Sequence, residues 1–440
     1  MSPPNPAAVV LAGGLGTRMR SATPKHFHPL LGRRMVDWVV EAARAVGADP
    51  LVVVTSPAGA DAFDEVEVAV QAEPRGTGDA LAAAREALAG FEGDLFVLIG
   101  DAPTLSPALL HDLLEAHRRE EAAATILSFR PTDPRDYGRV IRDEHGAVRE
   151  IVEAGDATPA QLAVDEVNSA VYVFAADRVW PALDRLDTAN RQGELYLTDA
   201  VRHLVENGER VAAYVAPPAE AEGVNTRAEL ADAAAALRDR INEAHMLAGV
   251  TIVDPKTTWI EVDVELEPDS TIHPFTVLSG HTKVSAGAVV GPHAVAIDAV
   301  IGSDATVGPF CYLRPGTVLE ARAKAGTFVE IKNSHIGEGA KVPHLSYIGD
   351  ADVGEGTNIG AGGITANYRP ELGPGKFRTE IGRNVHTAVH NVFVAPVTVG
   401  DNAWVAAGSV VTKNVPPGAL AIARSKQVNK EGFDDRNHDD

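Results

Sequence analysis

Cysteine occurs once in 440 residues, at Cys311, so an internal disulfide is excluded. Without a CxxC pair or a Cys/His cluster there is no case for a structural zinc site, and a reducing, cytoplasmic setting is expected. Basic residues are scarce as well. Lys and Arg number 39 against 61 Asp and Glu, for a net charge of −22, and no Lys/Arg-rich block interrupts that balance. Nucleic acid is thereby set aside as the main partner. Nowhere do about 18 uncharged apolar residues run together, which sets membrane insertion aside. The short apolar stretch 7–16 has no basic residue before it and does not read as an export signal. Aromatic residues make up only 5%, so bulky core plugs are few. What is abundant is glycine (40) and proline (28), alongside 45% hydrophobic residues. That mixture describes a turn-rich chain that still buries cores, with length for two to three domains of about 150 residues each.

Residues 1–225 alternate short apolar runs (8–11, 51–54, 95–99, 171–174) with helix-like segments (35–46, 78–88, 108–122). This is the pattern of βαβ units on a mostly parallel, Rossmann-like sheet, whose ligands sit at the carboxyl ends of the strands. Thr226 can cap a helix in which Leu230, Ala234, Leu237, Ile241 and His245 recur on one face, so 226–249 reads as a linker helix. From 250 to 427 a period of six takes over. Ile381, Thr387, Phe393, Val399, Val405 and Val411 step by six, and shorter runs repeat at Val284 and Val290, at Ile301, Val307 and Leu313, and at Ile336, Val342 and Ile348. Such hexapeptides mark a parallel β-helix, each apolar position pointing inward. The register breaks at 320–334 and 365–380, which are expected to be loops, and 428–440 is a charged tail expected to fray.

Several motifs carry chemistry. Leu11-Ala12-Gly13-Gly14-Leu15-Gly16-Thr17-Arg18-Met19 follows the first strand. Its glycines let backbone N–H groups approach a phosphate while Arg18 offers a charged fork. The spacing fits neither the Walker pattern nor the dinucleotide fingerprint. Lys25 can supply a second cation. Gln71, Gly76 and Thr77 have the groups to read the edge of a base. Asp101, just past the apolar run 95–99, stands where a carboxylate can hold Mg²⁺. Glu153, Asn168 and Asn225 are polar residues in short motifs, each individually open to a turn or capping role. In the second half, His344 can take a proton from an amine attacking a thioester.

Taken in order, the glycine motif, Pro24-Lys25, the Gln71–Gly78 motif, Gly100-Asp101, Tyr137-Gly138-Arg139, Ile151-Val152-Glu153, Asn168 and Gly223-Val224-Asn225 resemble the sugar-1-phosphate nucleotidyltransferases. With a hexapeptide β-helix behind them, the whole chain resembles the bifunctional N-acetylglucosamine-1-phosphate uridylyltransferase/glucosamine-1-phosphate N-acetyltransferase family. The resemblance implies an α/β nucleotidyltransferase domain, a linker helix and a left-handed parallel β-helix. It also implies a homotrimer in which neighbouring chains complete each acetyl site. Mg²⁺ would be held by Asp101 and Asn225, with Arg18 and Lys25 on the triphosphate. Leu11, Ala12, Gly13, Gly14, Gln71, Gly76 and Thr77 would meet the nucleotide, and Gly138, Glu153 and Asn168 the sugar. In the acetyltransferase half His344 would be the base, Arg314, Lys332, Tyr347, Asn358 and Lys376 would bind the amino-sugar phosphate, and Asn367, Tyr368, Ala407 and Arg424 would meet acetyl-CoA. Small-molecule substrates, including UTP and acetyl-CoA, are the expected partners.

Two departures from the family pattern stand out. Val389 occupies the place of a usual serine hydroxyl, which leaves open a uridylyltransferase whose β-helix is a trimerisation scaffold or acetylates another amino sugar. His26 and His28 flank the proposed triphosphate site, where the cation at Lys25 is kept.

Overall fold

The computed structural model describes residues 4–14 and 16–433. Leu15 of the glycine motif and residues 434–440 of the expected tail lie outside the described residues. Chain contacts divide the molecule into two units, Met1–Leu237 and Arg238–Asp440.

The first unit is built on a nine-stranded sheet. Its main path runs Val211–Ala216, Ala124–Phe129, Val167–Ala175, Asp94–Ile99, Ala7–Ala12, Leu51–Thr55, Glu67–Val70. Ala7–Ala12 lies parallel to both Leu51–Thr55 and Asp94–Ile99, whereas Val167–Ala175 is antiparallel to its two long neighbours. The sheet is covered on both faces, so its central strands are largely apolar and alternation sorts their side chains between two layers. Val9, Leu11, Val52 and Val97 pack with Leu81, Leu197 and Leu204, while Val10, Val53, Phe96 and Leu98 pack with Val36, Val39, Leu110 and Leu113. Helix Pro107–Arg119 shows how the sequence sets an element's start: Pro107 occupies its first turn and Ser106 Oγ accepts from Leu109 N at 3.1 Å.

The helix Arg227–Leu247 begins with a capping box, in which Glu229 N donates to Thr226 Oγ1 (3.2 Å) and Thr226 N to Glu229 Oε2 (2.9 Å). The boundary between units falls within it. Leu230 and Ala233 pack with Met35 and Val224, whereas Arg238 lies over the Trp259 ring and Asn242 donates to the carbonyls of Pro255 and Thr258.

The second unit is a left-handed parallel β-helix of three faces. Each strand pairs in parallel with the strand one coil on, as in the ladder Leu278, Ala296, Leu313, Ile331, Ile348. The inward residues of the hexapeptide register are buried throughout. The segment 320–334, expected to be a loop, is instead regular coil containing strands Lys324–Thr327 and Glu330–Lys332. Its inward position is taken by the small Ala325, and the next corner shortens the step from Ile331 to Ile336 to five residues. The same five-residue step recurs from Ala296 to Ile301 and from Ile348 to Val353, always entering the same face. The second break is a true excursion: the chain leaves the coil after Ile364–Ala366, makes a short turn at Pro370–Leu372, and returns at Thr379–Ile381.

One edge of the prism carries an exposed column of rings. Phe275 stacks on His293 (4.8 Å), His293 on Phe310 (4.7 Å) and Phe310 on Phe328 (5.3 Å), and Leu345 follows one coil later. All five hold positive φ, between 48° and 58°. A non-glycine residue there costs about 1–2 kcal/mol, which ring stacking partly offsets. Among the described residues no helix is long and apolar enough to cross a membrane.

Candidate functional site

Two cavities of the first unit meet at Ile99 and Asp101, at the carboxyl ends of the central strands. The first, of about 370 Å³, is lined by Leu11, Gly13, Gly14, Lys25, Gln71, Gly76 and Thr77 among others. Arg18, Gly138, Glu153, Asn168 and Asn225 line the second, of about 230 Å³. Ala12 lines neither, because its methyl group packs into the core.

Local structure explains these placements. Gly76 has φ 114°, and a Cβ there would come within 2.5 Å of the Leu195 carbonyl, so only glycine lets the two segments touch. Thr77 Oγ1 accepts from Leu197 N (3.0 Å). Gln71 spends both amide hydrogens, on the Gly76 carbonyl (3.1 Å) and on Asp79 (2.9 Å). Its side chain is therefore held in place at the cavity wall. The Arg139 guanidinium is buried and braces its own loop by donating to the carbonyls of Tyr137 and Arg135.

At the junction Lys25 Nζ pairs with Asp101 Oδ2 and also donates to Asn225 Oδ1 (3.0 Å), which accepts from Arg18 as well (3.0 Å). Burial pushes the Asp101 carboxyl up, but the Lys25 ammonium and His26 outweigh it and hold the group below the usual carboxylate range. Asp101 Oδ1 is buried without a partner. His26, buried beside it, is lowered to about 4, mainly by desolvation, and stays neutral. In the second cavity burial raises the Glu153 carboxyl, although Thr198 donates to it at 3.2 Å. Asn168 donates to Tyr172 Oη (2.7 Å) and accepts from Ala170 N (3.0 Å).

The sequence reading missed Glu229, which accepts from the backbone N of Asn225 (2.7 Å) and pairs with Arg135 (2.7 Å). Its signal was present in Thr226-x-x-Glu229, a capping box that also fixes the residue before the cap.

In the β-helix, Arg314, Lys332 and Tyr347 lie on one face or at its end, and Asn367 caps the same region. Arg314 pairs with Glu330 (2.9 Å), and Asn367 Nδ2 donates to Tyr347 Oη (3.2 Å) and to Asp350 Oδ2 (2.6 Å). Lys332 Nζ lies 3.5 Å from Asp350 Oδ2. In the excursion the Lys376 ammonium sits 4.2 Å from the centre of the exposed Tyr368 ring. His344, exposed, opens a second column at the ring-bearing edge. Gly362 N donates to His344 O, His390 N to Ala361 O and Gly408 N to Val389 O, so His344, Ala361, Val389 and Ala407 follow one another coil by coil. Arg424 comes next, its Cδ within 3.8 Å of the position a Gly408 Cβ would take. Asn358 stands apart, on the face that bridges Lys341 and His386. Within one chain, then, neither Asn358 with Lys332 nor Asn367 with Arg424 is brought together. Asp350 and Asn333 were also missed. Asn333, Asp350 and Asn367 are spaced by 17, one coil apart, a signal the hexapeptide period conceals.

Residues 8–211 match the MobA-like NTP transferase domain family. Over nearly its whole length the chain is also similar to curated relatives named bifunctional protein GlmU. It is 48% identical to that of Streptomyces avermitilis, with 98% of this chain and 95% of the relative covered. The protein of Kineococcus radiotolerans is 49% identical (98% and 92% covered), and that of Thermobifida fusca 46% (99% and 96%). The chain belongs to the bifunctional GlmU family. The matched NTP transferase domain covers the strands that carry both cavities, and the similarity to these relatives extends through the β-helix.

Proposed function

We propose that this chain makes UDP-N-acetylglucosamine in two steps. The β-helix transfers acetyl from acetyl-CoA to the amine of glucosamine 1-phosphate, and the first unit then joins N-acetylglucosamine 1-phosphate to UTP. The observation that carries the reading is the junction of the two cavities at Asp101, which sets a nucleotide-sized cleft and a sugar-sized one on either side of one carboxylate.

In uridylyl transfer a phosphate oxygen of the sugar attacks the α-phosphorus of UTP and the bond to the β-phosphate oxygen breaks, releasing pyrophosphate. The enzyme's task is to align the reactants and neutralise charge. Arg18 and Lys25 provide fixed cations, and Gly13, Gly14 and Gly76 let the backbone approach the nucleotide. Glu153 and Asn168 hold the sugar. The unpartnered Asp101 Oδ1 suits a hard cation, and Asn225 Oδ1, which accepts from Arg18 and Lys25, would join it on releasing one of those donors. These residues would hold Mg²⁺, which would supply further charge neutralisation at the phosphates.

For acetyl transfer, the amine attacks the thioester carbonyl as His344 takes its proton, and coenzyme A leaves as the thiol. Acetyl-CoA is taken to lie along the column from His344 past Val389 and Ala407 to Arg424, whose guanidinium meets its phosphates. Arg314 and Lys332 bind the phosphate of the amino sugar, with Tyr347, Asn358 and Lys376.

We assign a homotrimer to the working enzyme. Asn358 lies on one face of the prism and Lys332 and Tyr347 on the next, with the exposed edge of Phe275, Phe310 and Phe328 between them. If three such edges meet at a common axis, each chain sets its Asn358 face against a neighbour's Lys332 face. The test is incubation with glucosamine 1-phosphate, acetyl-CoA, UTP and Mg²⁺, with products read by mass. UDP-N-acetylglucosamine is expected. Uridylylation of added N-acetylglucosamine 1-phosphate without acetylation would overturn the acetyltransferase half.

A further inference from the structure

Asp350 is almost fully buried at the end of strand Tyr347–Gly349, in the left-handed region (φ 50°). Its carboxylate is surrounded by donors. Oδ1 accepts from Asn333 Nδ2 at 2.6 Å, and Oδ2 accepts from Asn367 Nδ2 at 2.6 Å with the Lys332 ammonium 3.5 Å away. Asn367 Nδ2 also donates to Tyr347 Oη at 3.2 Å. Two of these neighbours, Lys332 and Tyr347, are residues that the proposed acetyl-transfer reaction assigns to the amino-sugar phosphate, and Asn367 is assigned to acetyl-CoA.

An ionised carboxylate only accepts hydrogen bonds. Whatever faces it must present N–H, so the amide end of Asn367 cannot turn round without placing oxygen against oxygen inside a buried pocket. Both Asn367 hydrogens are then spent, one on Asp350 and one on Tyr347, which leaves Asn367 Oδ1 as its remaining group. Tyr347 Oη receives a hydrogen from Asn367, so its own O–H hydrogen remains to donate. Gly349 belongs to the same arrangement, since a Cβ there would collide with the tyrosine hydroxyl.

We propose that Asp350 is a positioning residue of the acetyl-transfer site, fixing the Asn367 amide so that Asn367 Oδ1 is offered as an acceptor and the Tyr347 hydroxyl as a donor to the amino-sugar phosphate. The acceptor suits the amine, whose N–H bonds it can align while the lone pair attacks. The donor suits a sugar hydroxyl or phosphate oxygen. Asp350 itself touches neither substrate, and it spends part of its charge on Lys332, which holds that ammonium at the rim of the same face. The inference rests on the acetyltransferase reading above.

The experiment compares the full chain with Asp350→Asn, Asn367→Asp and the double variant, measuring coenzyme A release with glucosamine 1-phosphate and, separately, pyrophosphate release with N-acetylglucosamine 1-phosphate. An amide at 350 must turn its NH₂ toward one neighbour, so kcat for acetyl transfer in Asp350→Asn is expected to fall about 10- to 100-fold, the range for a misplaced reacting group. The KM for acetyl-CoA, which has contacts besides Asn367, should rise far less than kcat falls, and the uridylyl rate should stay as it was. The double variant restores a donor facing a carboxylate, but the carboxylate at 367 also takes the Tyr347 O–H hydrogen, so a partial recovery of a few-fold over Asp350→Asn is expected, as for coupled neighbours. Wild-type acetyl transfer in Asp350→Asn would overturn the proposal. So would parallel loss of both activities, or a double variant no better than the single one. Absence of coenzyme A release from the wild-type chain would overturn instead the reading on which the proposal stands, and is seen before any variant is made.

Discussion

The Lys25 ammonium is ion-paired with one oxygen of Asp101, while the other oxygen of that buried carboxylate has no partner. A buried carboxylate with one oxygen paired to a fixed cation and the other unpartnered is poised for a second cation. Asp101→Asn is expected to lower uridylyl turnover by about 100-fold or more, the scale for losing one preorganised charge contact, and to leave acetyl transfer intact. Unchanged Mg²⁺-dependent pyrophosphate release would remove the metal role.

Next to that pair, neutral burial of His26 ties folding to pH. Its value in the folded chain is about 4 against 6.5 unperturbed, so between those limits the unfolded chain binds the extra proton. Stability from this group is complete above pH 6.5 and is lost as pH falls toward 4. Between pH 7.5 and 5 the loss is roughly 2 kcal/mol. Denaturant unfolding in a chelator should therefore show a flatter pH dependence for His26→Gln than for wild type. Parallel curves would contradict it.

His344→Ala should abolish coenzyme A release and spare uridylylation. If both activities disappear together, His344 is a folding residue and the base lies elsewhere.

Charge placed on the ring column tests assembly. Phe310→Glu with Phe328→Glu puts two carboxylates on one exposed edge, and sedimentation is expected to report a smaller species than wild type. Acetyl transfer should fall with it and uridylyl transfer persist, because the first unit's cavities are complete within one chain. An unchanged mass would mean the edge faces solvent.

Gly76→Ala places a methyl group against the Leu195 carbonyl at a φ that L-residues resist, at a cost of about 1–3 kcal/mol. A lower melting temperature and a higher KM for UTP are expected, with acetyl transfer untouched. A variant that binds UTP normally would show that the Leu195 segment yields.

Much of this was legible in the residue order. The glycine motif after the first strand, Asp101 after the third apolar run and Asn225 before a capping threonine all mark strand ends or helix starts, where local chemistry and site location coincide. The six-residue period revealed the β-helix because each inward position must be apolar or small. It failed at 320–334 because Ala325 is too small to stand out and Ile331 to Ile336 is a short step. Asp350 was hidden for a different reason. Its partners at 332, 333 and 367 are neighbours only because coils stack, and stacking distance follows the 17-residue coil rather than any local motif. Asn358, carried on a face apart from Lys332, shows the same limit, since the face a residue occupies follows the coil rather than a local motif.

The ring-bearing edge changes character along its length. From Phe275 to Leu345 every coil places a bulky side chain there, and at the following coil the same position is Gly362, beside the His390 ring. The edge is thus filled on its early coils and notched one coil after Leu345, beside the column in which the proposed acetyl transfer places acetyl-CoA. Tolerance to substitution should switch sign along it: large apolar residues are interchangeable before the notch, and any side chain at 362 obstructs entry to it.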